Sequence, residues 1–214
     1  MRIVTFAERD TPAALRRQAL ALQEEAWPTD EGATHEGKGA EHGEDDGHRE
    51  DDGPGEDDDA GQWHDPALAP IAMLLVDDTG IVVAALDILT KEITHAGQRF
   101  LARGLSRVVT GSRHRGRGHG RRLVAAARDT IERSGADLGI FTCDSELRGF
   151  YESAGWPHLP GAVLIGGTPE DPFPSDRFDK VTMAAFFTGR ACAQAHTFPG
   201  TRVALYPGVI DRLW

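Results

Sequence analysis

The sequence predicts an α/β (mixed α+β) fold, with a central mixed, mostly antiparallel sheet and helices on both faces. Three observations carry this. Two apolar runs, 69–76 and 81–89, flank the turn-forming cluster Asp77-Asp-Thr-Gly80, which is a hairpin pattern. A long strand pattern over 99–110 leads into an amphipathic helix over 118–133, so hairpins give way to a crossover. The elements then follow as β-α-insert-β-β-β-α-β-α-β-β, and that mixture excludes a purely parallel or purely antiparallel sheet.

Taken in order, residues 2–6 alternate as an edge strand. Thr11-Pro12 starts a helix with proline at the first position, where its missing N–H costs nothing. Leu15, Ala19, Leu22 and Ala26 recur at helical spacing, and Pro28 ends the helix. Residues 29–60 contain no Val, Ile, Leu, Phe or other aromatic residue, so nothing there offsets the entropy of ordering the chain. The expected organisation is a single domain over 1–214 with a disordered acidic insertion at 29–60. Its histidines, His35, His42 and His48, are irregularly spaced, and no metal site is expected. Residues 62–65 are read as the start of a short helix, and His95-Ala-Gly-Gln98 as the turn between two strands. After the helix at 118–133, Ser134-Gly135 is a stop. A strand over 138–142 follows, then a helix to Ser153 capped by Asp144 with Glu146 in its first turn, closed by Gly155. Residues 162–165 and 180–187 complete the strands.

No apolar stretch approaches the roughly 20 residues needed to cross a bilayer, and the first residues, Met-Arg-Ile-Val-Thr-Phe, have no signal core. A cytoplasmic protein without membrane contact is expected. Cys143 and Cys192 form no bridge framework and no C-x-x-C spacing, and both are read as small buried side chains. The formal charge of −11 is uneven. Residues 29–60 hold fourteen Asp/Glu and two Lys/Arg, net −12, while the remainder has 20 acids and 21 bases, net +1. Arg103, Arg107, Arg113, Arg115, Arg117, Arg121 and Arg122 gather around one glycine-rich turn, where an acidic ligand is expected.

In that turn Gly116, Gly118 and Gly120 alternate with Arg117 and His119, between a strand and a helix. Glycine permits close backbone approach, and successive N–H groups at a helix start converge on an anion. The pattern is a pyrophosphate seat. A dinucleotide fingerprint needs G-x-G-x-x-G and is one residue too long for G-x-G-x-G. A Walker loop needs Lys and Ser/Thr where Arg117 and Gly118 stand.

Arg115-Gly-Arg-Gly-His-Gly120 resembles [QR]-x-x-G-x-[GA], the acetyl-CoA loop of the GCN5-related N-acetyltransferases. The resemblance implies that acetyl-CoA is bound by Arg115, Gly116, Arg117, Gly118, His119, Gly120 and Arg121. It further implies contributions from Val108, Val109 and Thr110 at the strand end, and from Asp144, where that family often carries Asn. Tyr151-Glu-Ser-Ala-Gly155-Trp156 resembles a second pattern of the superfamily, Y-x-x-x-G-[FW], and implies that Tyr151 is the catalytic general acid. Weaker similarity over 84–94, 99–109, 136–140 and the start of the strand at 180–187 points to the aminoglycoside 2′-N-acetyltransferases. Their acceptor acids fall between the first helix and the hairpin, which implies Asp30, Glu31 and Asp65 as acceptor contacts, joined by Asp179 and the final Trp214. Ser106 stands where that family places a glutamate base. The base is therefore open among Asp87, Glu92, His196 and Asp179.

The resulting expectation is an acetyl-CoA-dependent N-acetyltransferase for a small-molecule amine, with an aminoglycoside-like antibiotic as acceptor and no metal. A CoA-binding regulator without catalysis is kept open by Ser106. A nucleic-acid-binding module is not expected, because the arginine cluster lacks interleaved aromatics and the acidic insert repels polyanions. The oligomeric state is not fixed by the residues, and a homodimer stays open.

Overall fold

The computed structural model describes residues 1–28, 64–207 and 213. The expected insertion at 29–60, with Asp30 and Glu31, and the terminal Trp214 lie outside them. Among the described residues the strands are β1 (Arg2–Ala7), β2 (Ile71–Val76), β3 (Val82–His95), β4 (Gln98–Thr110), β5 (Leu138–Asp144), β6 (Val163–Gly167), β7 (Pro172–Pro174), β8 (Lys180–Phe186) and β9 (Arg202–Ala204). The helices are α1 (Ala13–Ala26), α2 (His119–Arg133), α3 (Arg148–Ser153) and α4 (Gly189–Gln194). None is long and apolar enough to cross a membrane.

The central sheet has the order β1-β2-β3-β4-β5-β8 and is antiparallel except between β4 and β5. The β3–β4 hairpin is its long axis. It closes through Ala96 and Gly97, both with positive φ (49° and 74°), the conformation whose twist matches that of paired strands. One helix covers each side. On α1, Leu15, Leu20, Leu22 and Ala26 pack with Ala19 against Leu74, Val76, Val82, Ala85 and Val109. On α2, Leu123, Val124, Ala127 and Ile131 are fully buried in a larger core with Leu86, Ile88, Phe141 and Trp156.

β4 and β5 pair only at Ala102↔Leu138 and Arg103↔Gly139, then part. Asp137 pins the vertex. Its N–H donates to the Leu101 carbonyl (2.8 Å), and its carboxylate accepts from Leu101 N–H (2.9 Å), Thr188 Oγ1 (2.7 Å) and the Arg190 guanidinium. Burial pushes the Asp137 carboxyl up, but the bonds from Thr188, Leu101 and Arg190 outweigh it and hold it below the usual range.

The structure changes four local expectations. Residues 162–165 fall in a second sheet, β7-β6-β9, rather than in the central one. Of the helix expected over 62–65, only residues 64 and 65 are described, and what forms is a 3₁₀ turn, Pro66–Leu68, with Asp65 accepting from Ala67 N–H (2.9 Å). Asp144 caps no helix: a 3₁₀ turn, Ser145–Leu147, precedes α3, and the Asp144 carboxylate turns instead to Lys180 (2.7 Å). Cys143 is buried as expected, whereas Cys192 is exposed on the short α4.

Asp137→Ala is expected to lower stability by about 2–4 kcal/mol, since it strands several buried donors. The folded carboxyl titrates below its ordinary 3.8, so this contribution is complete above that value and disappears as pH falls through the lowered folded one. Urea unfolding should therefore show a constant gap between wild type and variant at neutral pH that closes in acid.

Candidate active site

Where β4 and β5 part, a cleft of about 510 Å³ opens. Its walls are Leu105, Ser106, Arg107 and Val108 from β4, and Thr142, Cys143 and Asp144 from β5. Leu20, Gln23, Glu24 and Trp27 close it from the α1 side, with Leu147, Tyr151, Lys180 and Leu213 completing the lining. The β4 wall is irregular. The register jumps from Ala85↔Val109 to Asp87↔Ser106, two steps on β3 against three on β4, and Arg107 adopts φ 48°. This is a bulge, which bends the strand and frees backbone groups from the ladder.

β4 runs directly into the glycine turn. Gly118 (φ 78°) is the N-cap of α2, and no side chain caps that helix. The first-turn N–H groups, which lack partners inside any helix, therefore face outward. Gly116 (φ 73°) and Gly118 are glycines for their backbone angle, since a Cβ at either would meet nothing within 4 Å. Gly120 is a glycine for space: a Cβ there would lie 2.7 Å from Thr110 Oγ1 and 3.4 Å from the Phe150 ring. Arg115 folds back and donates from Nε to the Thr110 carbonyl (3.0 Å), fastening the turn to the strand. Arg113, Arg117, Arg121 and Arg122 are exposed around it, and His119 is half-buried. The result is a positive, donor-rich rim.

Tyr151 is 6% exposed at the cleft. Its ring meets Phe141 and Phe150 edge-on, each at 5.0 Å, so the residue that crowds Gly120 also braces Tyr151. Burial, then the neighbouring Cys143 and Asp144, push the phenol well above the usual tyrosine range. Cys143 is itself pushed up to about 11, by burial and by Asp144, with Lys180 partly opposing. Trp156 is fully buried, donates from Nε1 to the Val124 carbonyl (3.3 Å) and fills the space above Gly139, where a Cβ would come within 2.5 Å of the indole. Its role is packing between β5 and α2.

The remaining candidates divide. Ser106, Val108 and Asp144 line the cleft, and Val109 and Thr110 continue the same strand. Asp179 accepts from Ser145 Oγ (2.7 Å) beside the Asp144–Lys180 pair. Asp65 and Glu92 line a separate groove of about 310 Å³, Glu92 paired to Arg99 (3.2 Å). His196 is exposed, with Nδ1 3.0 Å from the Ala193 carbonyl. Asp87 is buried opposite Ser106, its Oδ2 3.1 Å from Gln23 Nε2 and 3.3 Å from His64 Nε2. The sequence reading missed the α1 contribution of Gln23, Glu24 and Trp27. Its signal was present: Gln23 lies one turn after Ala19 on the buried stripe, a polar residue where an apolar one is the rule.

A family model described as an acetyltransferase (GNAT) domain matches residues 9–159. No curated protein matches the chain. Among solved structures, an acyl-CoA N-acyltransferase from Pseudomonas aeruginosa is 17% identical, with a TM-score of 0.50 over 86% of this chain and 97% of that one, and shares the fold. ElaA from Escherichia coli is 16% identical, with a TM-score of 0.49 over 86% of this chain and 99% of that one. YhbS from Escherichia coli, solved in complex with CoA, is 16% identical, with a TM-score of 0.44 over 63% and 66%.

The buried phenol gives a direct check. In an alkaline tyrosinate absorbance titration, the difference between wild type and Tyr151→Phe should show Tyr151 ionising above the ordinary tyrosine value of 10.0. A midpoint at or below that value would contradict the site's electrostatics.

Proposed function

The chain belongs to the acetyltransferase (GNAT) family, and on that premise we propose that it transfers acetyl from acetyl-CoA to an amine of a small cationic acceptor, by direct attack within a ternary complex. The observation that carries this reading is a phenol held protonated in a cleft whose β4 wall leads to an uncapped helix start. The open backbone of residues 115–121 fits a pyrophosphate, with the exposed arginines supplying countercharge. Val108–Thr110, beside the bulge, offer N–H groups for the negative charge that grows on the thioester oxygen. Tyr151 gives its proton to the departing sulfur.

On the acceptor side, Glu24 and Asp144 are carboxylates lining the cleft and favour a cation. Ser106 supplies no basic group, so the ammonium loses its proton to water in the cleft. An aminoglycoside-like antibiotic is the acceptor we put forward from the sequence resemblance, with Asp30, Glu31 and Trp214 as further contacts.

Thiol release from acetyl-CoA with a panel of primary amines, aminoglycosides included, tests the reading. Tyr151→Phe is expected to lower kcat on the order of 100-fold with little change in the acetyl-CoA Kd. Gly118→Val should abolish the calorimetric heat of acetyl-CoA binding while leaving the protein folded. Absence of any heat with wild type at millimolar acetyl-CoA would overturn the assignment, and binding without turnover of any amine would indicate a CoA-binding regulator.

A further inference from the structure

We infer that Gln23 reads the acceptor nitrogen: its side-chain carbonyl accepts a hydrogen bond from the amine N–H, and Asp87 is the positioning residue that holds the amide in that orientation. The inference rests on the proposed acetyl transfer and concerns only the acceptor's side of the cleft.

Gln23 is 5% exposed, lies on α1 and lines the cleft. Its two polar ends have different fates. Nε2 donates to Asp87 Oδ2 (3.1 Å), whereas Oε1 is buried with no hydrogen-bond partner among the described residues. The assignment of the two ends is fixed by chemistry, because a rotated amide would set its oxygen against a carboxylate. His64, fully buried, stands 3.3 Å from the same Asp87 oxygen and braces it from behind. Asp87 in turn sits opposite Ser106 in the β3–β4 register, behind the wall of the cleft.

A buried acceptor without a donor is a standing cost to the folded protein, removed when a donor arrives. An amine nucleophile suits it. A neutral primary amine has two N–H bonds and one lone pair, and holding an N–H at Oε1 turns the lone pair away from α1. As the nitrogen bonds to the acyl carbon it becomes positive and its N–H a stronger donor, so the contact tightens toward the transition state.

Kinetics with the best amine of the panel test this. Gln23→Met keeps the length of the side chain and removes both polar ends. It should lower kcat/KM for the amine by about 10- to 100-fold, with kcat reduced as well as KM raised, and leave the acetyl-CoA Kd unchanged. Asp87→Asn no longer specifies the amide orientation and should show the same split, more weakly. The double variant should be no worse than Gln23→Met alone, a coupling that two independent structural roles would not produce. If Asp87→Asn does not fold, Gln23→Met decides. Wild-type turnover by Gln23→Met overturns this inference and leaves the acetyl-transfer reading standing, whereas no turnover of any amine by wild type overturns both.

Discussion

The parting of β4 and β5 is the constraint from which the rest follows, and one carboxylate fixes where it happens. Asp137 ties the start of β5 to β4 at Leu101 and to the chain leaving β8 at Thr188 and Arg190, so the three strands are held together at one end. Past Arg103 and Gly139 nothing pairs β4 with β5. A sheet opened in this way exposes backbone inside a fold, which is ordinarily unfavourable. Here the opening is the cleft, and the bulge at Arg107 shapes one side of it.

Two sequence motifs far apart along the chain meet through packing. Phe150 crowds Gly120 and touches Tyr151, so the helix start and the phenol share one aromatic support. Trp156 locks the same region from below, seated over Gly139 and bonded to the backbone of α2. Motif residues at such a site are therefore of two kinds. Gly116 and Gly118 shape the backbone that faces a ligand, while Gly120 and Trp156 set the distance between the elements that carry it.

The sequence made the central sheet and both long helices legible, because their apolar periodicities are strong and their ends carry Pro12, Pro28 and Ser134-Gly135. It misplaced residues 162–165, whose short apolar run is the same for either sheet and whose partners, β7 and β9, have only three residues each. Asp144 has the composition of a cap, yet Lys180 across the β5–β8 pair is the stronger attraction. The donor side of the site was readable as local motifs. The α1 side was not, since Gln23 acquires its meaning from Asp87, which is remote in sequence and adjacent only once β3 packs beneath α1.

Cys143 shows what the electrostatics of this cleft exclude. A thiolate beside a thioester exchanges acyl groups readily, and a cysteine at its ordinary pKa would present a fraction of that form at neutral pH. Held at about 11, Cys143 stays a neutral thiol. An acyl group brought into the cleft thus finds no competing sulfur from the protein itself, and self-acylation of the wall is suppressed in favour of nitrogen.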